Sequence, residues 1–354
     1  MSIIALAPVD GVTDAAFRQV VDEIGHPDVM FTEFVTTEGL FKGRETLLHA
    51  LDMHKTNTPI IAQFFGPNPH FYSYAFFIAA ELGFSGVDVN MGCPDTNIVK
   101  KGGGAALLLD LPRARDIIKV LLKSRDEWNN GKRLSDTDLP TNMKLKVEEM
   151  KNLASVNRSG CQGQMPISVK TRIGYHESQI SEIIPYLIES GVERIELHGR
   201  TFDQRYSGLA DWDEIARAAL LAHSSNIPLW GNGDVKSVLD AHQKMAHYGV
   251  DGVLIARAAF GNPWLFASHI ATFEERKQTM LHHAALFLQY RPDLDLKPMR
   301  KHLSWYCKGQ EGSAKLRDKL MKVTNIHDLN VILGILSLPK ETPGSIDQNL
   351  DKPE

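Results

Sequence analysis

The sequence predicts an α/β chain: a closed (β/α)8 TIM barrel followed by a small all-α C-terminal domain. Eight short apolar runs alternate with longer amphipathic stretches over residues 1–265, which is the rhythm of eight strands separated by helices. No Gly-x-Gly-x-x-Gly turn follows the first run, which disfavours an open doubly wound sheet. Beyond Trp264 the strand signals stop and helical ones continue to about residue 338.

The expected strands are Ile3–Ala7, Val29–Glu33, Ile60–Phe64, Gly86–Asn90, Ile167–Lys170, Arg194–His198, Pro228–Gly231 and Gly252–Ile255. Between them the 3.6-residue period places helices at Thr13–Ile24, His70–Leu82, Arg113–Ser124, Glu177–Ser190, Trp212–Ala222 and Val235–Tyr248. Thr13 is the expected N-cap of the first, and Gly25, Gly83 and Gly191 stand where helices should stop. Residues 128–165 break the rhythm and read as an insertion on the outer or bottom side of the barrel, with one short helix and no chemical role. Residues 266–338 form the helical domain, punctuated by Pro292 and Pro298, and the polar tail 339–354 is expected to be disordered.

Composition narrows the function classes. The 354 residues are 43% hydrophobic and 23% charged, with a formal net charge of −4, the balance of a globular protein and not of one that coats nucleic acid indiscriminately. No apolar run approaches the roughly 20 residues that span a bilayer, and the N-terminus has no secretory pattern. Cys93, Cys161 and Cys307 form no CxxC pair, so a reducing cytoplasm is the expected setting. The 14 histidines form no metal-binding motif, and no metal is expected. Between Lys297 and Lys322, eight Lys or Arg face two acids, which fits a polyanionic partner or a solvated helix face.

The residues at the carboxyl ends of the strands, where barrels build their sites, are not a random sample. They are Pro8, Val9 and Asp10 after the first strand, Gln63 on the third, Asn90 and then Cys93 after the fourth, and Lys170 with Arg172 after the fifth. His198 and Arg200 follow the sixth, Asn232, Gly233 and Asp234 the seventh, and Ala256 and Arg257 the eighth. An inward lysine such as Lys170 carries a charge that burial penalises unless an anionic partner is near. The glycine turn at 231–233 and Arg257 together suit a phosphate-bearing ligand. The triple glycine 102–104 lacks a following Gly-Lys-Ser/Thr and reads as a hinge for the Cys93 loop. Cys93 itself fits an inert thiol, a nucleophile or an acid. No local base signature supports a nucleophile, and a thiol with a pKa near roughly 8.5 is mostly protonated at neutral pH and can donate.

Taken together, APVDGVTDAAFR, QFFG at 63–66, DVNMGCP at 88–94, VKTRIGY, ELHGRT, YSGLADW, GNGDV, IARAAFGNPW and RKHLSWYCKG make the chain resemble the tRNA-dihydrouridine synthases nearly end to end. The resemblance implies a barrel that holds FMN, is reduced by NADPH and acts on tRNA held by the helical domain. It implies flavin contacts from Pro8, Gln63, Lys170, His198, Asn232, Gly233, Asp234 and Arg257, with Val9, Asp10 and Ala256 in the same loops. Cys93 corresponds to the proton donor, Asn90 and Arg172 to substrate-pocket residues, and Arg300 and Lys301 to RNA contacts. Val9 and Ala256 depart from the commoner methionine and glycine. The implied reaction adds hydride to C6 of uracil and a proton to C5. Trp305 and Tyr306 are available for base stacking or, more simply, as core. A monomer is expected. The rival readings are a dihydroorotate-type dehydrogenase of a free pyrimidine and a non-catalytic RNA-binding barrel.

Overall fold

A computed structural model describes residues 2–53, 56–153, 165–309 and 312–334. Nine parallel strands follow in chain order: β1 (Ile3–Leu6), β2 (Val29–Phe31), β3 (Val35–Thr36), β4 (Ile60–Phe65), β5 (Gly86–Asn90), β6 (Ile167–Arg172), β7 (Arg194–His198), β8 (Leu229–Asn232) and β9 (Gly252–Ile255). Pairing runs β2-β1-β9-β8-β7-β6-β5-β4, and a β2–β4 ladder closes the ring. Eight strands therefore form the TIM barrel, with the two-residue β3 added on β4 beside the ring. Sequence reasoning missed β3 because two residues carry no period.

Several strands reach further toward the site than their apolar runs. Thr171 and Arg172 stay in the β6–β7 ladder, opposite Leu197 and His198, and Asn232 stays paired with His198 and Leu254. Ladder hydrogen bonds satisfy the backbone there whatever the side chain, so a polar residue need not end a strand. Outside the ring, strands and helices share one large apolar core, whereas the barrel interior holds only a small cluster around Ala5, Phe31, Ile61, Trp230 and Leu254. The rest of that interior is polar: Gln63, Asp88, Ser168 and Glu196 are all fully buried.

The first helix, Ala15–Ile24, is capped by Asp14 and not by Thr13. The Asp14 carboxylate accepts from Phe17 N at 2.8 Å, while Thr13 Oγ1 turns back to accept from Val9 N at 3.1 Å and so steadies the loop after β1. Gly25 and Gly83 close their helices as expected, and Gly191 follows the cap Ser190.

The supposed insertion is more regular than its composition. Helix Leu111–Asn129 runs through Trp128, and helix Thr141–Leu153 buries Met143 and Val147 against helix Pro69–Leu82 on the outer wall. The tail 339–354 and Cys161 lie outside the described residues.

Beyond the barrel come helices Phe273–Tyr290, Arg300–Tyr306, Ser313–Leu320 and Ile326–Ile332. Their core includes Met280, Phe287, Leu303 and Leu329 and continues onto Ala16 and Val20 of the first barrel helix. Gly261 approaches helix Arg300–Tyr306 so closely that a Cβ there would lie 2.4 Å from the Trp305 carbonyl carbon. Beside it Phe260 stacks on Trp305 with centroids 4.6 Å apart. Tyr306 is fully buried, so both aromatics serve packing.

Candidate active site

A cavity of about 1510 Å³ opens at the carboxyl ends of the strands. Fourteen expected residues line it together: Pro8, Val9, Asp10, Gln63, Asn90, Cys93, Lys170, Arg172, His198, Asn232, Gly233, Asp234, Ala256 and Arg257. Arg300 and Lys301 do not. Arg300 donates to the carbonyls of Val323 (2.8 Å) and Lys322 (3.2 Å), bracing the helical region from within. The Lys301 ammonium sits over Gly11 and works against the upward shifts of Asp10 and Asp14. The structure adds Phe34, Phe65, Tyr206, Leu209 and Lys308 to the lining. Tyr206 and Leu209 are 65% and 82% exposed, a signal carried by large apolar residues in a loop that follows a strand end. Lys308 comes from the helical region, and only the tertiary fold brings it here.

The Cys93 loop is held from three sides. Asn90 Oδ1 accepts from Gly92 N (3.1 Å) and Cys93 N (2.9 Å), Arg172 Nε donates to Gly92 O (2.7 Å), and Ala105 N donates to Cys93 O (3.1 Å). The triple glycine, expected as a hinge, forms a packed turn in this structure. Gly103 N donates to Ile98 O at 3.1 Å, and Gly104 has φ +57°. A Cβ on Gly104 would lie 2.9 Å from Cys93 O, so glycine is there to let the backbone press against the thiol's loop. Burial pushes the Cys93 thiol up, only partly opposed by the Asp95 N–H and the Arg172 charge. At neutral pH the side chain is a thiol and can give up a proton.

Beside this loop the site is strongly cationic. Burial, and then Lys170, Arg172, Arg200 and Arg257, hold His198 well below the ordinary histidine range, so it is a neutral ring. Asp234 ties two of these cations: its carboxylate accepts from Arg200 Nη2 (2.6 Å), Arg257 Nη2 (2.6 Å) and Ala210 N (2.8 Å). It orients the arginines, and Arg257 remains 57% exposed at the rim. Gly233, Arg257 and Lys236 thus form a basic end of the cavity, while Gln63, Asn90, Lys170 and His198 form its other polar end. The cavity exceeds the several hundred Å³ that a single small ligand usually takes, leaving room for a phosphorylated planar cofactor and a second ring. Ala256 has φ −114°, so the position does not require the positive φ that favours glycine. Among the described residues no cluster of three or more potential ligands could hold a metal ion.

Lys170 Nζ donates to Asn232 Oδ1 at 3.2 Å, and burial, then Arg172, lower its pKa to about 8. The unfolded lysine titrates near 10.5, so between these values the unfolded chain binds more protons and stability rises with pH. We expect the unliganded protein to gain up to about 3 kcal/mol between pH 8 and 10.5 relative to Lys170→Met, as read by urea melts of both proteins across that range. Parallel curves would deny Lys170 its strain.

A family model described as dihydrouridine synthase matches residues 5–127 and 143–335. The chain belongs to the dihydrouridine synthase family. The unmatched residues 128–142 are a narrower interruption than the expected 128–165. Similar dihydrouridine synthases include the probable tRNA-dihydrouridine synthase 1 of Synechocystis sp., 30% identical over 335 residues, covering 91% of this chain and 82% of that protein. The probable tRNA-dihydrouridine synthase of Staphylococcus aureus is 30% identical over 345 residues, covering 93% and 91%. That of Mycobacterium tuberculosis is 29% identical over 369 residues, covering 97% and 85%. Among solved structures, an old yellow enzyme homologue from Zymomonas mobilis superposes with a TM-score of 0.44 at 11% identity, covering 76% of this chain and 89% of that one. No helix among the described residues is long and apolar enough to cross a membrane.

Proposed function

We propose that this protein reduces the C5=C6 bond of a uridine in tRNA to 5,6-dihydrouridine, with FMN as resident cofactor and NADPH as reductant. One observation carries the reading: a protonated thiol, Cys93, shares a single cavity with a basic glycine turn at Gly233 and Arg257 and with the polar groups of Gln63, Asn90, Lys170 and His198. FMN, when bound, supplies the hydride taken up at C6. Gly233, Arg257 and Lys236 would hold its phosphate, and Gln63, Lys170, His198 and Asn232 its ring.

The chain's own part is alignment and a proton. Asn90, Lys170 and neutral His198 can donate to ring carbonyls, and so either steady the flavin or stabilise the enolate that forms on the uracil. Cys93 Sγ–H then gives its proton to C5. A uridine stacked in folded RNA must be extruded to enter the cavity. Its backbone phosphates would be held by the basic stretch from Lys297 to Lys322, of which Lys308 reaches the cavity lining.

Purified protein supplied with FMN and NADPH should form dihydrouridine in unmodified tRNA, detected by nucleoside mass spectrometry. Turnover of free uracil or dihydroorotate with none on tRNA would favour a free-pyrimidine dehydrogenase instead. A protein that binds tRNA but takes up no flavin would be a non-catalytic barrel.

A further inference from the structure

Asp88 lies beneath the site, on β5, paired in register with Gln63 of β4 and Ser168 of β6, and is fully buried. Among the described residues its hydrogen bond to the cavity lining is the one to Gln63. Gln63 Nε2 donates to Asp88 Oδ2 at 2.6 Å, Asn90 Nδ2 donates to Gln63 Oε1 at 2.9 Å, and Asn90 Oδ1 accepts from the backbone N–H groups of Gly92 and Cys93. A side-chain amide can be turned end for end with little change of shape. This chain cannot be turned. Backbone N–H groups only donate, so Asn90 must offer them its oxygen. Its amino group then faces Gln63, and the Gln63 amino group must face Asp88 Oδ2, which has to accept.

The Asp88 carboxyl also lies near buried Glu196, and burial beside that second carboxyl raises its affinity for a proton. Because Oδ2 must accept, any proton on Asp88 belongs on Oδ1, away from Gln63. Ser168 Oγ donates to that atom at 2.7 Å when it is unprotonated, and a hydroxyl can turn to accept when it carries the proton; Arg194 Nη2 donates to Ser168 Oγ at 3.0 Å.

We propose that Asp88 is a positioning residue: through Gln63 and Asn90 it fixes the polarity of the cavity floor, so that both amides present N–H donors and the ring resting on them turns carbonyl oxygens or ring nitrogens toward them. Each amide has spent its oxygen and one N–H within the chain, and both residues line the cavity. The same chain ends on Cys93 N, so the floor and the proton donor are set by one anchor. This inference rests on the flavin reading above.

The test compares Asp88→Asn with Asp88→Leu by fluorescence titration of FMN onto flavin-free protein. Asparagine reproduces a protonated aspartate, with oxygen toward Gln63 and amino group toward Ser168 Oγ, so its Kd should stay within about threefold of the original. Leucine removes the acceptor, frees the amides to turn, and should weaken FMN at least tenfold, with unchanged far-UV circular dichroism. Equal affinity in all three proteins would overturn the proposal. So would Asp88→Asn being as weak as Asp88→Leu, since charge and not acceptor direction would then matter.

Should Asp88→Leu not fold, Gln63→Glu carries the test. Charged groups around position 63 are Asp88 on β5, Lys170 on β6, and Arg194 with Glu196 on β7. A protonated glutamic acid can still donate to Asp88 and accept from Asn90, whereas an ionised one cannot. FMN affinity should therefore fall as pH rises, a dependence beyond that of the original protein, and an unchanged pH profile would count against Asp88. If the original protein binds FMN but turns over only free pyrimidines, the tRNA reading fails while the Asp88 comparison still decides this one.

Discussion

Cys93→Ala is expected to lower the rate of dihydrouridine formation by about 10²–10⁴-fold, the usual range for losing a general acid, while FMN stays bound and is still reduced by NADPH at the original rate. The reasoning is local. The thiol lines the cavity, and its backbone is held by Asn90, Arg172 and the Gly104 turn. Removing one sulfur therefore leaves the loop in place. Burial keeps the proton on sulfur at neutral pH, so the acid is in its working form there. Activity should hold through neutral pH and decline in alkali as the raised thiol pKa is passed, because only the protonated form donates. Stopped-flow measurement of the two half-reactions separates these steps. If uridine reduction in Cys93→Ala proceeds at the original rate, the proton comes from elsewhere.

Arg172→Ala should cost about 10²-fold or more in kcat/KM, through misplacement of the reacting groups, and Arg172→Lys should not restore it. Arg172 Nε donates to Gly92 O, and Nη1 donates to both Thr201 O (2.8 Å) and Arg205 O (3.0 Å). One planar guanidinium thus joins the Cys93 loop to the loop carrying Tyr206 and Leu209, and it also lines the cavity. A lysine ammonium has no rigid fork with which to span both loops. Its burial is costly enough that the Arg172 pKa is lowered to about 10, so the site retains a strained cation for the sake of geometry. Steady-state kinetics on tRNA checks this, and full rescue by lysine would show that charge alone matters.

Much of the site was legible because polar residues at the ends of apolar runs are out of place there. Lys170 and Asn90 stand out for that reason, and the structure brings both into the cavity. What was not legible depends on contacts between distant segments. Thr13 and Asp14 are both good caps, and only the position of Val9 decides that Thr13 turns away. Three consecutive glycines suggest freedom, yet Gly104 answers a close approach to Cys93 that no local pattern encodes. Arg172 looked like a loop residue because its run of apolar neighbours had ended, whereas the ladder with β7 continues through it. The polar barrel interior around Asp88 is hidden in sequence because alternate residues of a strand face opposite sides.

The backbone contact at Gly261, with Phe260 stacked on Trp305 and a shared core along Ala16 and Val20, leaves little slack between barrel and helices. On the proposed function, the helices that grip the RNA therefore stand at a set distance from the mouth that receives the base. Choosing a uridine would then be a matter of length: the protein would measure from its grip, as with a ruler, and the nucleotide at the far mark would be the one reduced.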